Sequence, residues 1–430
     1  MLVQSNAMKR IVSPGRVSGS LKIPGSKSHT IRALLIASAA QGRSIIQAPL
    51  DSSDTRAALS LCRSLGARVA EEQGRWIVEG TGGAMKQAHI DVGNSGTSLF
   101  LAAAVAAASD KAVSFDGDEQ IRRRSAAPLL DALRALGVEI TESGEAGCAP
   151  FTVKGPLQGG KVSIFCPTSQ YLSALLLAAP LSPSGRSTEI EVPLLYERPY
   201  VEMTLKWLDD QGIEYQRRGL EWFLVPGGQH YRPFSAAVPA DFSSATFFFC
   251  AAAITGDKLL LKGLDPTDIQ GDKMVLPILE KMGCCVTPKD GGIEIQGPKE
   301  GLCGGTFDLN SIPDALPALA ATACFAKGET QLINVPQARI KETDRIAVMA
   351  LELTGLGADI REMEDGLLIS GRGPKGLSGG NVRGHGDHRV IMAEAIAALG
   401  AGEEVIIDDD GAVAVTFPNF FSLLDSIRKV

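Results

Sequence analysis

The apolar positions of this chain fall into two kinds of helical run, and both kinds recur. The first is amphipathic and ends at a glycine followed by a β-rich stretch: SLCRSLGARV, LDALRALGVEI, LKWLDDQGIEY, LPILEKMGCCV and ALELTGLGADI. Its closing glycines are Gly66, Gly137, Gly212, Gly283 and Gly357, at successive gaps of 71, 75, 71 and 74 residues. Glycine suits the left-handed position just past a helix end, where the chain turns into a strand. A sixth copy, FPNFFSLLDSIRKV, reaches the end of the chain before any glycine.

The second kind of run is rich in Ala and Leu: SHTIRALLIASAA, SGTSLFLAAAVAAA, SQYLSALLLAAP, SSATFFFCAAAI, DALPALAATACFA and DHRVIMAEAIAAL. These copies begin near residues 28, 95, 169, 243, 314 and 387. Helices apolar nearly all round are buried, whereas the glycine-ended helices should be more exposed. The repeat therefore predicts six units of strands with one inner and one outer helix. Three units per domain bury three inner helices together and give two similar α/β domains. Residues 8–24 (IVSPGRVSGSLKIP in part) read as a strand that belongs with the last units, because the final unit ends without one. The chain is then expected to cross between domains near Pro24 and near Ala240, giving one domain at 25–240 and another at 8–24 plus 241–430.

Composition narrows the class. At 430 residues, 45% hydrophobic and 21% charged, the chain reads as a globular protein of two domains. A net charge of −7 argues against a general nucleic-acid binder, which carries a basic face. The eight cysteines include no CxxC pair and sit mostly in apolar runs, so they read as reduced, buried thiols. No apolar run approaches the roughly 18 residues of a membrane span, and the start lacks a signal-peptide core. A cytoplasmic protein without a membrane partner is expected. Ser5-Asn6-Ala7 before Met8 reads as a scar of tag removal, so residues 1–7 stand outside the fold argument.

The starts of the inner helices carry the candidate chemistry. They read PGSKSHT, VGNSGTS, CPTSQYL, ADFSSAT, SIPDALP and GHGDHRV. Gly, Ser, Thr and Asp cap helices, and six buried helices need six caps. Three starts hold more than a cap: Lys27 with Arg32, Ser169 with Gln170, and His388 with Arg389. A helix start already offers free N–H groups and about half a positive charge to an anion. Added cations are unfavourable there unless a multiply charged anion comes to share the site. PGSK is not a P-loop, since GxxxxGK[ST] is absent.

Two further basic clusters are Arg122-Arg123-Arg124 and the KETDR stretch, Lys341 to Arg345. In an exposed helix KETDR is a solvated face with cations at i,i+4. With both cations on one side and Glu342 beside Lys341, it also suits a carboxylate or phosphate ligand next to a proton-transfer group.

Taken together, PGSKSHTIRALL, GNSGT, TSQYLSALLL, RPYVEMTL, IPDA, IKETDR, DHR and TFPNFF resemble, in that order, the motif series of the 5-enolpyruvylshikimate-3-phosphate (EPSP) synthase family. The resemblance runs from about residue 20 to the end, and PGSKS, IKETDR and DHR are its most specific parts. It implies the enolpyruvyl transferase fold, an inside-out α/β barrel of two domains with three βαβαββ-type units each around buried helices, in agreement with the sixfold period. It implies attack of the 5-hydroxyl of shikimate 3-phosphate on C2 of phosphoenolpyruvate (PEP), followed by loss of phosphate. By motif position Lys27, Ser28, Arg32, Thr168, Ser169, Gln170, Asp314, Gln337 and Lys341 fall on shikimate 3-phosphate contacts. Lys27, Gly96, Arg124, Gln170, Arg345 and Arg389 fall on PEP contacts. Asp314 matches the base for the hydroxyl, and Glu342 with Lys27 the groups that move a proton at the methylene carbon. The resemblance further implies domain closure around the substrates, a monomer, and no metal or organic cofactor.

The chain departs from that pattern at several positions. Val415 stands where many members carry Lys, Gln337 where Asn is common, Phe100 where Arg is common and Ser125 where Pro is common. Glu197 occupies a usual Ser position, and a carboxylate beside a substrate phosphate is expected to turn away and pair with Arg198. Three other readings fit parts of the sequence. A UDP-N-acetylglucosamine enolpyruvyl transferase would show a Cys within residues 117–125, which has none. An RNA 3′-phosphate cyclase is disfavoured by the acidic pI of about 5.4. A non-catalytic anion-binding scaffold would need the cations but neither Asp314 nor Glu342.

Overall fold

The computed structural model describes residues 9–429; the tag-like triplet lies outside them. The chain divides into two compact units, one Gly25–Pro239 and the other the chain up to Pro24 together with the chain from Ala240.

Within Gly25–Pro239 the middle repeat gives the plan: strand Ala88–Asp91, inner helix Gly96–Ala106, strand Val113–Asp116, outer helix Ala127–Ala135, then strands Glu139–Glu142 and Phe151–Lys154. The first two strands pair in parallel, and the other pairings in this sheet are antiparallel. The third repeat follows the same order from Gly160 to Pro226. The first borrows a strand from the far end of the unit, because Ser235–Ala237 pairs in parallel with Gln41–Gln47. Inner helices Lys27–Ala39, Gly96–Ala106 and Ser169–Ala178 pack on one another under three four-stranded sheets.

The other unit repeats the plan and closes it with the N-terminal segment. That segment forms two strands, broken at Ser13–Gly15. Arg16–Lys22 pairs in parallel with Lys258–Lys262 of the fourth repeat, and Arg10–Val12 pairs antiparallel with Val405–Ile407 of the sixth. Inner helices Phe242–Thr255, Leu316–Ala323 and His388–Gly400 form its centre, and nearly every one of their residues is buried.

The five repeat glycines have φ of +110°, +86°, +67°, +105° and +93°. Each lies two residues past its helix end and its N–H donates to the carbonyl three residues back, as in Gly66 to Arg63, while the next residue's N–H reaches one position further back, as in Ala67 to Cys62. This is the Schellman arrangement, and it satisfies carbonyls that the helix end leaves open. A second repeated glycine lies where the last strand passes over an inner helix. A Cβ at Gly80 would meet the Ala40 carbonyl oxygen at 2.1 Å, and one at Gly371 the Ala326 oxygen at 2.3 Å. All eight cysteines are free, but Cys285 and Cys303 are exposed, so the expectation of buried thiols holds for six. Among the described residues no helix is long and apolar enough to cross a membrane.

Candidate active site

In the Gly25–Pro239 unit the chemistry gathers at inner-helix starts. Lys27 opens the first inner helix, and its Nζ lies 3.1 Å from a carboxylate oxygen of buried Asp54. Ser28 follows and lends its carbonyl to Arg32 Nη1 at 3.1 Å. Arg32 is 2% exposed; its Nε donates to Thr204 Oγ1 at 2.8 Å and its Nη2 to the Tyr200 carbonyl at 3.2 Å and Ser173 Oγ at 3.4 Å. No carboxylate pairs with it among the described residues. Burial lowers its pKa to about 10, against a small opposing pull from Tyr200, so the buried cation stays charged at neutral pH.

The second helix start brings Gly96 and Arg124 together. A Cβ on Gly96 would sit 2.8 Å from Arg124 Cζ and Nη1, so the missing side chain is what lets the guanidinium reach the helix N-terminus. Of the triple-Arg run only Arg124 does this; Arg122 pairs with Asp116 and Arg123 with Glu119. At the third start Thr168 is the N-cap, and Gln170 Nε2 donates to Thr97 Oγ1 of the second helix at 3.4 Å. Gln170 Oε1 is buried without a hydrogen-bond partner. Phe100 packs edge-on against Tyr171 with centroids 5.2 Å apart, so this departure from Arg serves the core.

The expectation for Glu197 is overturned. Its carboxylate accepts from Thr168 Oγ1, Ser169 N–H and Ser169 Oγ at 2.9–3.1 Å, and it is 2% exposed. Arg198 pairs instead with Glu221 at 2.8 Å. Three donors at a helix start outcompete one exposed guanidinium.

In the other unit the hub is Arg345, 1% exposed at the start of helix Arg345–Gly355. Its Nε donates to Asp387 Oδ2 at 2.8 Å, its Nη1 to Asp314 Oδ1 at 2.9 Å, and its Nη2 to Glu342 Oε2 at 2.5 Å. Burial alone would weaken its charge, but Asp387, Glu342 and Asp314 more than reverse that. Arg389 Nη2 holds the second oxygen of Asp314 at 2.9 Å. Asp387 caps the sixth inner helix through Arg389 N–H and also accepts from Thr343 Oγ1 at 3.0 Å. Gln337 is buried; its Nε2 donates to the Asn310 carbonyl at 2.9 Å, and its turn packs against the Asp314 turn. Its Oε1 has no hydrogen-bond partner.

KETDR is therefore not a solvated helix face. Asp344 caps the helix, and Lys341 lies before it, directly after the turn Pro336–Ile340. Lys341 and Arg345 are thus not neighbours on one helical turn. Asp387 and Asp54 were not singled out from sequence; a capping Asp directly before an Arg-bearing helix was the available signal for the first. Val415 is half-buried on the turn Gly411–Val415.

Two carboxylates and a capping aspartate on one buried guanidinium, in a chain of six such repeats, can be compared with known proteins. Residues 11–424 match the family model described as EPSP synthase (3-phosphoshikimate 1-carboxyvinyltransferase). The chain belongs to the EPSP synthase family. It is 51% identical to the 3-phosphoshikimate 1-carboxyvinyltransferase of Acetivibrio thermocellus and 48% identical to that of Ruminiclostridium cellulolyticum, covering 96% of this chain in both and 96–97% of the relative. The solved EPSP synthase from Acinetobacter baumannii superposes with a TM-score of 0.80 at 28% identity over 98% of each chain. The enolpyruvyl transferase NikO from Streptomyces tendae, at 18% identity and a TM-score of 0.79, shares the fold. The expected enolpyruvyl transferase architecture is thus the one observed.

Proposed function

We propose a division of labour among these residues for the reaction of the EPSP synthase family. The chain is an enzyme that transfers the enolpyruvyl group of PEP to the 5-hydroxyl of shikimate 3-phosphate and releases phosphate. The relatives' names favour this over transfer to a UDP-sugar and over a non-catalytic scaffold. Its two domains are proposed to be 25–240 and 8–24 plus 241–430, one residue from the division into compact units after Pro239.

Lys27, Ser28, Arg32, Thr168, Ser169 and Gln170 bind shikimate 3-phosphate, joined by Asp314, Gln337 and Lys341. Lys27, Gly96, Arg124, Gln170, Arg345 and Arg389 bind PEP. The substrates together bring two phosphates and two carboxylates, and several guanidinium and ammonium groups offset their mutual repulsion. Asp314 takes the proton of the 5-hydroxyl as its oxygen bonds to C2 of PEP. Glu342 and Lys27 place a proton on the methylene carbon and later remove it, as the C2–O bond breaks and phosphate leaves. Without substrate, Asp314 is tied to Arg345 and Arg389; anions that draw on those cations release its oxygens to act as base.

The observation that carries this reading is Arg345, which collects both proposed proton-transfer carboxylates, Asp314 and Glu342, while Arg389 flanks the first. Phosphate release from shikimate 3-phosphate and PEP tests it. Asp314→Asn is expected to lower the rate by about two to four orders of magnitude while substrate affinity changes little; an unchanged rate refutes Asp314 as the base. The enzyme is further proposed to work as a cytoplasmic monomer, which light scattering of the purified chain and fractionation of its cells would check.

A further inference from the structure

Strand Ser187–Leu195 runs parallel to Gly160–Cys166, with Leu195 level with Cys166, and Tyr196 N–H donates to the Cys166 carbonyl at 3.1 Å. The two strands therefore end side by side. One leads through Thr168 into inner helix Ser169–Ala178, the other through Glu197 into helix Arg198–Asp210. Glu197 adopts φ +57° and ψ +40°, a left-handed conformation that residues with a Cβ enter at a cost. Its side chain lies at the start of the neighbouring inner helix, where one carboxylate oxygen takes Thr168 Oγ1 at 3.1 Å, Ser169 N–H at 3.1 Å and Ser169 Oγ at 2.9 Å. A main-chain N–H and two hydroxyls at a helix start make a site for an anion, and a side chain of the protein already fills it.

We propose that Glu197 is a resident anion, and that shikimate 3-phosphate binds by displacing its carboxylate from Thr168 and Ser169. This rests on the assignment of Thr168–Gln170 to that substrate. The carboxylate and a phosphate need the same donors, and at such separations their like charges exclude each other. Only a group that interacts more strongly than a carboxylate displaces it. A phosphate dianion does, with more charge and more acceptor oxygens. A monoanion such as unphosphorylated shikimate does not. Glu197 thus sets selectivity for the phosphorylated substrate and lowers its affinity.

Calorimetric titration of shikimate 3-phosphate into the full-length wild type, Glu197→Gln and Glu197→Ser, without PEP, tests this. Charge-assisted hydrogen bonds to a competing group are strong enough that Kd should fall about tenfold or more in both variants. The KM for PEP at saturating shikimate 3-phosphate should stay within about twofold, because on this reading Glu197 opposes one substrate only. Unchanged or weaker binding in the variants overturns the proposal. If Glu197→Ser fails to fold, the isosteric Gln variant decides alone. Ser169→Ala in the Glu197→Ser background isolates the underlying assignment. If affinity there does not fall, Thr168–Gln170 is not the phosphate site and both readings fail. If it falls while removal of the carboxylate brings no gain, only the resident-anion role is lost.

Discussion

His388 offers a test of the electrostatics around the Arg345 hub. It opens the sixth inner helix at 1% exposure, its Nε2 has no hydrogen-bond partner, and its Nδ1 lies 4.0 Å from Asp387. Burial is the main force on the ring. It overrides the pull of Glu342 and Asp387, is helped by Arg389 and Arg345, and takes the pKa from 6.5 to about 3. Folded, His388 is neutral; unfolded, it takes up a proton as pH falls through 6.5. Between those values the unfolded state binds more protons, so stability rises with pH. The contribution is complete above pH 6.5 and is lost progressively below it. Each pH unit is worth about 1.36 kcal/mol for one proton, so the step from 6.5 to 5 removes about 2 kcal/mol.

The perturbation is His388→Asn, which cannot titrate. Urea unfolding of both proteins at half-unit steps from pH 7 to 4.5 gives two stability curves. The wild-type curve should fall more steeply below 6.5, with the gap between the two changing by about 2 kcal/mol by pH 5. Other histidines and carboxylates titrate in both proteins and cancel in the difference. Asp387 does not intrude: burial raises its pKa, Arg345 more than reverses this, and the net fall below 3.8 puts its own loss of stability at lower pH. Parallel curves would show that the ring is protonated in the folded protein, and the picture of a buried site controlled by desolvation would fail.

Two glycines separate site effects from fold effects. Gly96→Ala places a Cβ 2.8 Å from the end of the flexible Arg124 side chain, so the guanidinium shifts while the fold gives little. The KM for PEP should rise several-fold, up to about tenfold, with Tm nearly unchanged; a lower Tm with unchanged KM refutes the Gly96–Arg124 pairing. Gly283→Ala tests a repeat turn at φ +105°, where the nearest atoms outside the turn, in Pro298, are a comfortable 3.5 Å from a new Cβ. Backbone strain alone should cost about 1–2 kcal/mol in urea unfolding and leave kinetics untouched.

The repeat was legible because two of its signals are local. A left-handed glycine after an amphipathic helix and an Ala/Leu run without a polar face are each fixed by a few neighbouring residues. The proposed site residues at helix starts were legible for the same reason, and Lys27, Arg32, Ser169, Gln170 and Arg389 all lie there. Other errors ignored signals that were present. Pro14-Gly15 marks the break between the two N-terminal strands. Adjacent Cys284 and Cys285 enter a strand whose alternation sends one inward and one outward. Glu197 was misjudged for a deeper reason. Its direction depends on a left-handed backbone at a residue with a Cβ and on two strands ending level, neither of which a local pattern marks. Arg345 is similar: nothing in KETDR states that Asp314 and Asp387, 31 and 42 residues away, converge on it.

The six helix starts share a backbone plan but differ in how their N–H groups are satisfied, and this difference sorts them chemically. Asp241 caps the fourth helix through Ser244 N–H and also accepts from Ser244 Oγ, a closed arrangement with no guanidinium on it among the described residues. Ser95 caps the second helix in a similar local way, and Arg124 reaches that start only because Gly96 has no side chain. Asp387 also caps its helix, yet its oxygens are shared with Arg345, so cap and site cannot be altered separately. Ser26 makes no side-chain cap bond at all, and its hydroxyl is buried without a partner one residue before Lys27. At the third start an incoming carboxylate, Glu197, completes what Thr168 begins. Repetition of the fold supplies six helix ends that can attract anions, and the proposed chemistry lies where the cap is shared, unfinished or filled by the carboxylate proposed to leave. Where the cap is closed, as at Asp241, the same backbone serves structure alone.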